Sequence, residues 1–78
     1  LTVEEQAKAY VEDMIDALNE GNAEEFKAVG EAVEAWQAKL SEEDKTKAEE
    51  AVKEYEEEFF EALMKNISNP DFINLMEE

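Results

Sequence analysis

Acidic side chains are the residues of this chain with the most obvious chemical potential. Glu54, Glu57, Glu58 and Glu61 recur at helical spacing, and Glu42, Glu43 and Asp44 stand in a row. Carboxylates gathered this way could hold calcium or magnesium, which take several oxygens converging in one cage. A convex helix face seldom supplies such a cage, so a weak divalent-cation binder is a secondary expectation and no metal ligand is assigned. Asp16 to Lys27, "DALNEGNAEEFK", places glycine sixth, as a calcium loop does. Its third and twelfth positions are Leu18 and Lys27, where oxygen ligands are required, so it reads as a corner between helices.

Catalytic patterns fare no better. Paired carboxylates do acid–base work in a cleft that drives their pKa values apart, and here they belong to outward faces. The chain has no histidine, cysteine or arginine. Ser41 and Ser68 stand at helix starts, where a hydroxyl caps the backbone. No glycine-rich phosphate loop is present. The expectation is a non-enzyme with no cofactor. "NIS", residues 66–68, matches an N-glycosylation acceptor, a three-residue pattern that chance supplies often.

Charge narrows the partners. The 78 residues carry 23 acids against seven lysines, a formal charge of -16. Phosphate backbones and anionic lipid surfaces need clustered cations, so direct binding to either is excluded. The same charge permits an acidic decoy that fills the nucleic-acid site of a basic protein. No apolar run approaches the about 20 residues of a membrane span. The sequence opens on Leu1, and an export signal upstream of that residue is compatible with this composition.

Helical periodicity organises the whole chain as one domain, residues 1–78. In the first segment, Val3 to Asn19, one face collects Val3, Ala7, Tyr10, Val11, Met14, Ile15 and Leu18. Thr2 and Glu5 have capping-box spacing, and Gly21 ends the helix. The second, Ala23 to Lys39, is capped by Asn22 and buries Phe26, Val29, Val33, Trp36 and Leu40. Gly30 and the flank Ala28, Ala32 and Ala35 predict a closely approaching neighbour. The third starts after Ser41 and runs unbroken to about Asn66, burying Ala48, Ala51, Val52, Tyr55, Phe59, Ala62 and Leu63. Asn69 and Pro70 then suit the cap and first position of a short fourth helix. Short loops make consecutive helices antiparallel. The predicted fold is all-α, an antiparallel three-helix bundle with a short C-terminal helix packed on it. Tyr and Trp residues belong at the stripe edges, where their polar atoms find partners.

Phe59 and Phe60 are adjacent, so they point about 100° apart on a helix. If Phe59 is core, Phe60 lies beside it, joined by Met64 and Ile67. Two outcomes are open. The tail folds back so that Phe72, Ile73 and Met76 cover this shoulder, which is the expected closed architecture. Otherwise the shoulder stays open and recruits another protein or a second copy, since sizeable exposed apolar patches mark contacts. Phe60, Met64, Ile67, Phe72, Ile73 and Met76 are the candidate interaction residues.

"ALNEGNAEEFKAV" and "EAWQAKLSEEDKTKAEEA" resemble the mature domains of some exported lipoproteins of gut Bacteroidetes. The likeness covers about residues 3–58 and rests on a Gly-Asn corner, a Trp before a short loop and a Ser-Glu-Glu-Asp-Lys cap. It implies a small acidic helical domain held outside the cytoplasm, and it brings no catalytic residues. The functional expectation is a structural or protein-interaction module.

Overall fold

A computed structural model of the chain describes residues 1–77. Five helices follow one another: α1 (Val3–Glu20), α2 (Ala23–Gln37), α3 (Glu42–Val52), α4 (Glu56–Lys65) and α5 (Pro70–Glu77). A single 3₁₀ turn, Lys53–Tyr55, joins α3 to α4. The described residues contain no strand.

Local chemistry sets most of these boundaries. Thr2 Oγ1 accepts from the Glu5 N–H and the Glu5 carboxylate accepts from the Thr2 N–H, both at 3.1 Å, closing a capping box. Donation from the Thr2 backbone N–H to the carboxylate, helped by the Thr2 side chain, favours the charged form and holds the Glu5 carboxyl below its ordinary pKa. Asn22 and Ser41 cap α2 and α3 through the N–H groups of Glu25 and Asp44. Gly21 adopts the left-handed conformation at φ 70°. Its N–H donates to the Leu18 carbonyl and that of Asn22 to the Ala17 carbonyl, the double bond pattern that terminates a helix on glycine. Asn69 Oδ1 accepts from the Asp71 N–H and caps α5 ahead of Pro70.

α1 is the central helix and packs against α2, α3 and α4. The Gly21–Asn22 corner turns α2 back along it. α3 and α4 then run in the direction of α1, as three successive pairs show: Lys8 with Glu54, Glu12 with Tyr55 and Asn19 with Lys65. The up-down-up bundle foreseen from periodicity is therefore present, and the short C-terminal helix is packed on it. Ile15, Leu18, Ala23, Ala62 and Phe72 form the buried centre, ringed by Val11, Phe26, Tyr55, Phe59 and Leu75. In the opposite half of the bundle the fully buried side chains are small, Ala7 and Ala48.

The third predicted helix is in fact two. The 3₁₀ turn winds at about 120° per residue instead of about 100°, so three residues advance the wheel by about 60°. α4 is rotated by that amount relative to an unbroken continuation of α3. Leu63, expected in the core stripe, is consequently exposed, while Ala62 stays buried as expected. The flank Ala28, Ala32 and Ala35 also departs from expectation and faces outward. At Gly30 an added methyl would meet only Met14 Cε at 4.0 Å, an ordinary contact with a flexible side chain. No helix backbone approaches there.

Trp36 and Tyr55 find partners for their polar atoms at the stripe edges. Trp36 Nε1 donates to Gln6 Oε1 at 3.0 Å, and its ring lies 5.2 Å from that of Tyr10. The Tyr55 hydroxyl donates to Glu12 Oε1 at 2.6 Å. That bond, reinforced by partial desolvation and by the negative charge of Glu12, pushes the Tyr55 phenol up from 10.0 to about 12. A folded pKa above the unfolded one means that the contact stabilises the fold fully below pH 10. The contribution is then lost as pH rises through about 12. In a near-ultraviolet absorbance titration Tyr55 should ionise near 12, and Glu12→Gln should bring its midpoint down toward 10. Ionisation of Tyr55 at 10 in the folded wild type would contradict the assignment.

Candidate functional site

α5 does not cover the shoulder. Phe72, only 6% exposed, inserts its ring 5.7 Å from Phe26 of α2, and Phe26 in turn lies 6.5 Å from Phe59. The tail thus seals the aromatic junction between α2 and α4. Aromatic pairs at this separation add about 0.5–1.5 kcal/mol beyond burial alone. The closed architecture expected for Phe60, Met64 and Ile67 is overturned, although the terminus is docked. The physical reason is twofold. The phase slip at Lys53–Tyr55 carries Phe60 and Ile67 further from the core, and Phe26 offers α5 an aromatic target.

Of the six candidate interaction residues, Phe72 is therefore a core residue and is corrected to that role. Ile73 and Met76 are exposed on α5. Phe60, Met64 and Ile67 are 61%, 48% and 62% exposed, and Leu63 joins them at 38%. These four stand at i, i+3, i+4 and i+7 along α4 and onto the turn that closes it. Helix α4 thus carries two apolar faces. Phe59 and Ala62 point into the bundle, while Phe60, Leu63, Met64 and Ile67 point away from it. Glu56 lies in line with the outer stripe and Glu57 and Glu61 run beside it. All three carboxylates are exposed.

Asn66 is the residue that fixes this helix in place, and sequence reasoning assigned it no such role. It is 7% exposed. Its Nδ2 donates to the Leu18 carbonyl at 2.6 Å and the Ala62 carbonyl at 3.0 Å. Its Oδ1 accepts from Asn69 Nδ2 at 3.1 Å. The Asn66 N–H bonds to Leu63 instead of Ala62, so the side chain supplies the bond that the Ala62 carbonyl lacks. Asn69 Nδ2 and Asn66 Oδ1 also lie 3.5 and 3.8 Å from where a Cβ on Gly21 would sit. The end of α4 is thereby bolted to the end of α1. A signal was available: Asn66 continues the inner spacing of Phe59 and Ala62, a place where that stripe calls for an apolar side chain. In the acceptor pattern "NIS", the nitrogen a glycan would occupy is thus buried and engaged by two carbonyls.

The remaining concavities are open. A groove of about 660 Å³ runs between the Gly21 corner and α5, bordered by Glu20, Glu24, Lys27 and Asp71. An apolar cleft of about 150 Å³ separates α2 from α3 beside Trp36. Glu12, Asp16 and Glu58 border a third hollow of about 280 Å³ with Tyr55. Among the described residues, no three acids converge in a way that could hold a metal ion. None of the described helices is long and apolar enough to cross a membrane. No protein family, curated protein or solved structure matches the chain.

Proposed function

We propose that the chain is a non-enzymatic protein-interaction module that works through the outward face of α4, outside the cytoplasm like the exported helical domains it resembles. The carrying observation is the doubled apolar character of α4. Its inner face is already satisfied by α1 and α2, so the core does not require Phe60, Leu63, Met64 and Ile67. Unpartnered apolar side chains at this spacing are what a helix presents to another protein. The molecule also exposes more surface than its size calls for, 5461 Å² against about 4,800 Å² for a closed monomer of 8.9 kDa. Carboxylates are distributed over all five helices, which favours this reading over an acidic decoy that copies the phosphate spacing of nucleic acid on one face.

Phe60→Gln combined with Met64→Gln tests the assignment. Exposed positions tolerate such changes, so unfolding free energy should move by no more than about 1 kcal/mol. Binding of a neutral solvatochromic dye such as Nile red by the native wild type should be lost in the double variant. A clear drop in melting temperature would show that the face belongs to the core and overturn the proposal. Unchanged dye binding would do the same.

A further inference from the structure

We infer that the occupant of the α4 face is an amphipathic helix of another protein, flanked by lysine or arginine; this rests on reading that face as a docking surface. Three observations carry the choice of partner. The first is geometry. Phe60, Leu63 and Met64 on α4, continued by Ile67 on the turn that closes it, are exposed at i, i+3, i+4 and i+7, the repeat with which one helix reads another. Met64, unbranched and adaptable, suits a contact that must fit a partner's side chains.

The second is area. From their fractional exposures the four side chains offer on the order of 400 Å² of surface. A stable dimer of standard size buries roughly 800 Å² on each partner. The stripe is about half of that, which matches a single helix laid along α4 better than the flat face of a second domain.

The third is charge. Glu56, Glu57 and Glu61 border the stripe and are exposed, and no ion pair among the described residues engages them. A second copy would bring the same three carboxylates to the same seam, together with its own net charge of -16. Like charges brought together at an interface disfavour that pairing, whereas a cationic helix is steered in by the field of the whole molecule. The carboxylates then select the partner while the apolar stripe holds it.

Three synthetic peptides, titrated against the full chain, decide the matter. One is helical with leucines at i, i+3, i+4 and i+7 and lysines beside them. The second replaces the lysines with glutamates. The third has the first peptide's composition in an order that breaks the stripe. The first should bind at least about tenfold more tightly than either of the others, with affinity falling as salt is raised. Phe60→Gln with Met64→Gln should weaken it at least about tenfold, and Glu57→Gln with Glu61→Gln should weaken it while sparing the second peptide. If the lysine and glutamate peptides bind alike and both lose to the Phe60/Met64 variant, the face stands and its cationic preference is overturned. If the broken-stripe peptide binds as well as the first, or the Phe60/Met64 variant changes nothing, the docking face itself falls. A wild type that self-associates in sedimentation, with the Phe60/Met64 variant monomeric, would identify a second copy as the occupant and overturn the inference.

Discussion

Asn66→Asp should destabilise the fold by about 3 kcal/mol or more at neutral pH, the largest effect expected of any single isosteric change. The wild-type amide gives both of its N–H groups to carbonyl oxygens, those of Leu18 and Ala62. A carboxylate of the same shape would instead place a buried negative charge against those two oxygens. Its remaining neighbour, the Asn69 amide, can supply only part of the compensation. Burial and these oxygens both raise the pKa of the new acid above the unfolded value of about 3.9. The penalty is therefore full above the raised pKa. It shrinks as pH falls through that value, where the protonated acid can donate one hydrogen bond. Asn66→Ala should cost about 1–3 kcal/mol, because the two carbonyls lose their partner but face no charge. Urea unfolding at neutral pH and near pH 4 would measure both. An aspartate variant as stable as the wild type at neutral pH would show that the bridge between α1 and α4 carries no weight. In a domain of this size each kcal/mol moves the midpoint of melting by about 4–8 °C, so the aspartate variant should unfold well below the wild type.

Phe72→Ala should cost about 3–5 kcal/mol, the range for removing a buried phenylalanine from a core. Phe72 is the one buried side chain of α5, and its ring is what joins that helix to Phe26. Without it α5 retains only the partial burial of Leu75, and eight residues form too short a helix to persist alone. The tail should therefore come free and expose Phe26. A chain ending at Asn69 should lose a similar amount of stability, since both changes remove the same contact. Protease cleavage within residues 70–77 should accelerate in the Phe72 variant before the rest of the bundle unfolds. A loss below about 1 kcal/mol would mean that α5 lies on α2 without contributing to the core.

These two effects mark the boundary between what was legible in the sequence and what was not. The caps were legible, because a cap is written within four residues: Thr2 with Glu5, Asn22 with Glu25, Ser41 with Asp44 and Asn69 with Pro70. The Gly21 corner was legible for the same reason. The periodic faces of α1 and α2 were correct in their centres, and the edge positions of Trp36 and Tyr55 followed from their polar atoms. The break at Lys53–Tyr55 was hidden, because no glycine or proline announces it. It coincides with contacts made across the bundle, Glu54 with Lys8 and Tyr55 with Glu12. A wheel drawn through those residues at constant angle misplaced Leu63 and understated how far Phe60 turns from the core. The destination of Phe72 was equally non-local. Two apolar faces competed for the tail, and spacing along the chain does not rank a junction of Phe26 and Phe59 above a stripe of Phe60, Met64 and Ile67. Asn66 could have been found, by asking why an amide continues an apolar line.

The bulky buried residues are gathered around the Gly21 corner, whereas at the far end the fully buried side chains are alanines, and Tyr10, Val33, Trp36 and Val52 are only half-buried along an apolar cleft. Local openings should therefore begin near the α2–α3 loop and die out before reaching Leu18, since regions with few large buried contacts open most cheaply. The outer stripe of α4 is mounted on the firm half. Under the docking function proposed for that stripe, a partner would meet a preformed surface and forfeit little ordering entropy on contact. The contacts expected to yield first lie at the opposite pole, remote from that stripe.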